Sequence, residues 1–223
     1  MIKISHRRKL SYGITLWALL VLTLLVPAPS LGEPLVSVRD AIFRADGTVL
    51  ALSHDRGIHV VEGKGVTFMC DDALPDSKLM LRSGEERILV AGGAGAHLSL
   101  TAGCKWQQTS GDFAFDSVVG LFRDPDDDDR VLIAYGEQGL VVESLDGGHT
   151  STPQPVLSVA SVVFTGFSAS QHRILIAGYD LLDEKRLLWI SNDAGRTFET
   201  IELGQGETLT PWALSASTAW LSH

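Results

Sequence analysis

Four stretches of this chain can be written beneath one another in a single register. VLALSHDRGIHVVEGKGVTF ends at Phe68, ILVAGGAGAHLSLTAGCKW at Trp106, VLIAYGEQGLVVESLDGGHTS at Ser151, and ILIAGYDLLDEKRLLWISNDAGRTF at Phe198. The register glycines are Gly65, Gly103, Gly148 and Gly195, with spacings of 38, 45 and 47 residues. A period near forty restricts the chain to repeat architectures, in which one unit cannot cover its own apolar face and neighbours must stack on it.

The pattern inside a block selects strands over helices. Each block opens with a short apolar, β-branched run such as Val131-Leu-Ile-Ala or Ile174-Leu-Ile-Ala, crosses a glycine-containing connection, and enters a second run such as Leu187-Leu-Trp-Ile. Runs of four to six residues are strand-length. Another candidate strand lies upstream of each, at Leu35-Val-Ser-Val, Leu79-Met-Leu, Ser117 to Phe122 and Ser158 to Phe164, and a fourth follows, as in Phe198-Glu-Thr-Ile-Glu-Leu. Four strands per unit without helical periodicity predict an all-β fold, a β-propeller of four-stranded antiparallel blades. The blade boundaries fall at about 35–74, 75–113, 114–157 and 158–204. Leu209 to Leu214 and Thr218 to Leu221 then restart the pattern as a half blade over 205–223. The expectation is an incomplete propeller, either a truncated relative of a longer protein or a half that closes by self-association, with an open edge beside Trp212 and Trp220, where unpaired strands invite pairing with another chain.

Residues 1–32 read as an export signal. Lys3, Arg7, Arg8 and Lys9 precede an apolar stretch from Ile14 to Val26, and Pro27, Ala28, Pro29 and Ser30 follow. The apolar stretch covers 13 residues, short of the roughly 20 that a membrane-spanning helix needs. The expectation is a cleaved signal peptide and a periplasmic or extracellular domain over 33–223, with an uncleaved membrane anchor as the alternative. Cleavage removes four basic residues and no acid, taking the formal net charge from -9 to -13. That excess argues against nucleic acid and anionic membrane surfaces, which require clustered Lys and Arg. Cys70 and Cys104, an even pair in an oxidising compartment, permit one disulfide, with two free buried thiols as the other reading.

SNDAGRTF at 191–198 carries the most specific residue types. Ser191 and Asp193 are short polar side chains that accept from turn N–H groups, Gly195 tolerates positive φ, and Thr197 and Phe198 suit the start of a strand. The third block keeps Ser144, Asp146, Gly148 and Thr150 and puts Ser151 where the aromatic stands. The second keeps Ser99, Gly103 and Trp106, with Thr101 in place of the Asp and Lys105 in place of the Thr. The first keeps Gly65, Thr67 and Phe68. The pattern Ser-x-Asp-x-Gly-x-Thr-aromatic resembles the Asp-box, or BNR repeat, of sialidase-like propellers, sortilin-type receptors and propellers similar to photosystem II assembly factors. The resemblance implies that these turns are structural, on the outer turns of the blades and away from the ligand face.

The same resemblance would imply, for a sialidase-like glycoside hydrolase, three carboxylate-binding arginines, a Tyr-Glu nucleophile pair, an Asp acid/base and a Phe-Arg-Ile-Pro motif. Phe43-Arg44-Ala45-Asp46 and Phe122-Arg123-Asp124-Pro125 match that motif only in part, and Tyr135 and Tyr179 are the only tyrosines beyond the signal region. No catalytic residue is assigned. The acids of 124–129 lack the spacing and turn glycine of a calcium loop and read as a solvated connection. His97, His149 and His172 show no metal-ligand spacing and read as surface residues near turns, while AGGAGAH at 91–97 joins two strands and opens no helix. No cofactor or metal is expected. Trp106, Trp189, Trp212 and Trp220 stand at strand positions, where burial in the core is the more frequent outcome. The reading that remains is an exported, non-catalytic propeller whose partner is a protein or peptide, with self-association through the open edge as a further possibility.

Overall fold

The computed structural model describes residues 38–44, 46–53, 57–69, 77–83, 87–159, 162–170, 172–204, 210–214 and 219–222. Residues 1–37, which include the expected export signal, lie outside them. The described residues form strands and turns without a helix, in four four-stranded sheets and one pair. Blade one holds β1 (Val38–Phe43), β2 (Val49–Ser53), β3 (Gly57–Glu62) and β4 (Gly65–Phe68). Blade two holds β5 (Leu79–Ser83), β6 (Arg87–Gly92), β7 (Gly95–Ser99) and β8 (Gln107–Gln108). Blade three holds β9 (Val118–Asp124), β10 (Asp127–Tyr135), β11 (Leu140–Ser144) and β12 (Pro155–Ser158). Blade four holds β13 (Val162–Ser170), β14 (Arg173–Asp180), β15 (Lys185–Ser191) and β16 (Glu199–Leu203), and β17 (Thr210–Leu214) pairs with β18 (Ala219–Ser222). Every sheet is an antiparallel meander in chain order. The first strands of successive sheets are neighbours, β1 with β5, β5 with β9, β9 with β13 and β13 with β17, so they line the inside of the arc.

The apolar runs occupy second strands because those strands are buried on both faces. Side chains alternate across a sheet with period two, and here both sets meet a neighbouring blade. Ile88 and Val90 face blade one, packing with Leu50, Leu52 and Ile58, whereas Leu89 and Ala91 face blade three. Val131, Ile133 and Tyr135 return that contact from β10, and Leu132 and Ala134 point the other way into a cluster with Phe164, Ile174, Ile176 and Trp189. Trp189 meets Phe164 edge to face, with ring centroids 5.5 Å apart. The core is therefore a row of inter-blade seams, and each blade depends on its neighbours for burial of large apolar side chains.

Three expectations shift. The first strand of blade one begins at Val38 and runs to Phe43, past the predicted Leu35-Val-Ser-Val, whose residues 35–37 lie outside the described set. Ser158 closes β12 opposite Leu140, and the first strand of blade four starts only at Val162. The apolar pattern runs from Val156 to Phe164 without a breaker, so pairing rather than local sequence divides it. Gly65 is a residue of β4, and the turn before it is a two-residue hairpin with Gly63 at φ +56, so blade one carries an ordinary tight turn in place of the motif.

Candidate functional site

The motif turns sit between the third and fourth strands of blades two, three and four, and their polar atoms are engaged within the turn. In blade four the Gly195 N–H donates to Ser191 Oγ at 2.8 Å, and Ser191 Oγ donates to Asp193 Oδ1 at 2.7 Å. The Thr197 N–H donates to Asp193 Oδ1 at 2.9 Å and its hydroxyl to Oδ2 at 2.6 Å. Blade three repeats the scheme with Gly148 on Ser144 (2.8 Å) and both Thr150 donors on Asp146 (2.8 and 2.6 Å). In blade two the Ser99 contact to the Gly103 N–H survives at 2.8 Å, and the Thr101 hydroxyl takes the carboxylate's place by accepting from the Lys105 N–H at 2.9 Å. The turns carry paired left-handed residues, Ala194 and Gly195, Gly147 and Gly148, Ala102 and Gly103. Burial pushes the Asp193 carboxyl up, but the Thr197 hydroxyl and N–H, Ser191 and the Arg196 N–H outweigh it and hold its pKa at about 2. Asp146 is lowered by the same balance of burial against Thr150 and Ser144.

Each turn is also an inter-blade clasp. Gly103 lies against Ile58 and Met69, Gly148 against Leu89, and Gly195 against Leu132, always a side chain of the preceding blade. The last motif position serves the same seams, since Trp106 packs with the Leu50 and Ile88 cluster and Phe198 with the Leu132 and Trp189 cluster. Where Ser151 replaces the aromatic, a strand-like segment from blade two fills in. The Ser110 N–H donates to the His149 carbonyl at 3.0 Å, the Ser151 N–H to the Ser110 carbonyl at 2.9 Å, and the Thr109 hydroxyl to the Gly148 carbonyl at 2.7 Å.

The acids of 124–129 lie at the same end of the blades as these turns, at the end of β9, in the β9–β10 connection and in the first residues of β10. Asp124, fully buried, accepts from Arg130 Nη1 at 2.9 Å, Arg196 Nη2 at 2.8 Å and the Asp126 N–H at 3.0 Å. Burial raises its pKa, and these donors and charges lower it further than burial raises it. Asp126 meets His172 at 2.7 Å, Asp128 meets Arg123 at 3.1 Å, Asp129 pairs with Arg87, and Asp127 accepts from the Asp129 N–H. The run thus joins blade three to both neighbours. Among the described residues no three His, Cys, Asp or Glu side chains converge on a metal position.

Sequence reasoning missed the arginine that precedes the buried apolar run of the second strand in blades two, three and four, Arg87, Arg130 and Arg173, although R-I-L-V-A, R-V-L-I-A and R-I-L-I-A are visible as a repeat. Arg87 packs against Gly147, and Arg130 donates to the Ala194 carbonyl, so each reaches the fourth position of the next blade's turn. Tyr135 is a core residue stacked near Phe113, its hydroxyl without a hydrogen-bond partner, and burial followed by the nearby Asp116 pushes its pKa up to about 12. Its side chain is fully buried in the seam between blades two and three. His97 is a half-buried residue within β7 whose pKa burial lowers, while His149, hydrogen-bonded to Gln107, and His172 are exposed. Cys104 is disulfide-bonded, and Cys70 lies outside the described residues, as do the side chains of Trp212 and Trp220.

No protein-family model matches the chain, and no curated protein matches it. Solved structures do. The Dos1 propeller aligns with a TM-score of 0.58 at 14% identity, over 78% of this chain and 49% of that one. YCF48 bound to D1 peptide gives 0.56 at 17%, over 78% and 55%, and an ancestral GH74 enzyme 0.55 at 13%, over 73% and 24%. The chain therefore spans between about a quarter and about half of these structures, and at such identities the likeness concerns the fold. Stacked four-stranded meanders, first strands lining the inside and the shared architecture of these neighbours make this chain a β-propeller.

Proposed function

We propose that the chain is an exported Asp-box propeller that acts as a binding or assembly protein for a protein or peptide, without chemistry of its own. The observation that carries this reading is the engagement of its polar clusters. The carboxylates of Asp146 and Asp193 are held by their own turns, and those of 124–129 by neighbouring residues. Most glycosidases place two carboxyl groups on a shared substrate space, and sialidase-like ones at least an acid/base carboxyl beside a tyrosine, whereas these acids face arginines and backbone. The likeness to a propeller solved with a peptide bound supports a peptide or protein ligand, and the likeness to the extracellular domain of a one-component system from B. thetaiotaomicron supports export. The match to an ancestral GH74 enzyme keeps glycoside hydrolysis as the competing reading.

The test is affinity capture with cross-linking from the envelope fraction, run beside glycoside reporter assays on the purified chain. A stoichiometric partner cross-linked to this chain and no turnover is the expected result. Turnover of a sialoside or other glycoside, with no partner recovered, would overturn it.

A further inference from the structure

The two ends of the blades differ in how their charges are met. At the end that carries the motif turns, Asp124, Asp126, Asp128, Asp129, Asp146 and Asp193 each meet an arginine, a histidine or a turn hydroxyl. The opposite end is built from the connections between second and third strands and between successive blades. There the segments 109–117 and 136–139 carry Asp112, Asp116 and Glu137 and no Lys, Arg or His. Among the described residues none of these acids has an ion pair or a side-chain hydrogen bond.

One of them stands beside a buried polar group that also lacks a partner. Tyr135 ends β10 with its side chain fully buried, and its hydroxyl has no hydrogen-bond partner. The ring lies against Phe113, with centroids 5.6 Å apart, and the Asp116 charge is near enough to act on the hydroxyl. Gln138, in the connection that follows Tyr135, likewise has a buried Oε1 without a donor. Buried oxygens of this kind are rare in folded chains and call for a missing donor. The segment that bounds the corner is pinned in place. Gln108 Nε2 donates to the Ala114 carbonyl at 2.7 Å, and the Gly136 N–H donates to the Ser117 carbonyl at 3.1 Å. Between those anchors Phe113 and Asp116 are half-buried, and Phe115 is 79% exposed.

We propose that this corner between blades two and three is a docking site for a lysine side chain of a partner polypeptide, its ammonium held by the Asp116 carboxylate and the Tyr135 hydroxyl and a flanking apolar residue resting on Phe115. The ammonium reaches the phenol between the half-buried Phe113 and Asp116. The unmet groups here are a carboxylate, a phenol and an amide carbonyl, all able to accept, so their complement is a cationic donor. An ammonium can aim its donors at separate acceptors, whereas a planar guanidinium pairs best with a single carboxylate edge. The Phe113 ring favours a cation beside it. This inference rests on the binding reading above and names the side chain that is recognised.

The experiment titrates the full chain with a capped pentapeptide, glycine-leucine-lysine-leucine-glycine, with the same peptide carrying norleucine for lysine, and with butylammonium. Saturable one-to-one binding of the lysine peptide is expected, with the other two probes weaker by about tenfold or more. Tyr135→Phe and Asp116→Asn should each weaken the lysine peptide by about tenfold. Asp183→Asn, in the β14–β15 connection at the same end, is expected to bind as wild type. Tyr135→Phe deletes only an unpartnered hydroxyl, so it is expected to fold as wild type and decides the matter if Asp116→Asn does not fold. Absence of saturable binding by the lysine peptide, or butylammonium binding as tightly as the peptide, would overturn the proposal. So would equal affinity of wild type and Tyr135→Phe, the mark of a hydroxyl satisfied by an internal water. An envelope partner cross-linked as well to Tyr135→Phe as to wild type would sink this site while leaving the binding function standing.

Discussion

Arg130, the residue before the buried run of β10, reaches out of its own blade and donates to the carbonyl oxygen of Ala194 in the turn of the next. The same guanidinium meets Asp124 at 2.9 Å and Glu143, so one side chain ties two anions of blade three to the backbone of blade four. Truncating one partner of a buried ion pair leaves an uncompensated charge, which costs about 3–5 kcal/mol. Arg130→Met leaves Asp124 with Arg196 Nη2 and the Asp126 N–H, so a loss at or below the lower end of that range is expected in urea unfolding. Asp124→Leu combined with Arg130→Met should recover part of the loss, because the buried carboxylate that has lost one of its two guanidinium partners is gone.

Ser191 Oγ accepts the Gly195 N–H inside a buried turn. Ser191→Ala leaves that donor without an acceptor, at a cost of about 1–3 kcal/mol. The expected signature is a lower urea midpoint with an unchanged slope, and a loss below the noise of the measurement would show that water reaches the turn.

Acid should loosen the turns in a defined window. The Asp193 carboxyl has a folded pKa of about 2 against an ordinary value of 3.8, and those of Asp146 and Asp124 are also lowered. A depressed carboxylate pKa contributes stability that is present above the unfolded value and lost as pH falls through the folded one. Stability should therefore decline between about pH 4 and pH 2. Asp193→Asn should flatten part of that slope, and parallel curves for variant and wild type would refute the assignment.

Gly195 combines a left-handed backbone at φ +78 with a close neighbour, since a Cβ there would stand 2.3 Å from Leu132 Cδ1. Gly195→Ala should cost about 1–3 kcal/mol from overpacking alone, with backbone strain in addition. Gly204→Ala is the control, as nothing among the described residues lies within 4 Å of its added carbon. Equal thermal midpoints for the two variants would contradict the packing argument.

A disulfide between Cys70 and Cys104 is expected to link the end of blade one to the turn of blade two. Closing a loop of this length contributes about 3–4 kcal/mol in the chain-entropy model. Intact-mass analysis of the protein purified without reductant should find no alkylatable thiol before reduction and two after. Two reactive thiols in the unreduced protein would exclude the link.

The period near forty and the short apolar runs determined the blades, because a strand buried on both faces must be apolar at every position, and Ile88 to Ala91, Val131 to Ala134 and Ile174 to Ala177 are. Ser191, Asp193, Gly195 and Thr197 were legible as a turn for a similar reason, since each residue's role there is local and depends on partners within four positions. The division of Val156 to Phe164 between two blades was not legible, because hydrogen-bonding partners far along the chain decide where one strand ends. Nor were the roles of Arg130 and Asp124. The sequence shows an arginine and a run of acids. That Arg130 meets Glu143 and the Ala194 carbonyl is decided only when strands pair and blades stack, because clasps across a seam join residues that the chain keeps tens of positions apart.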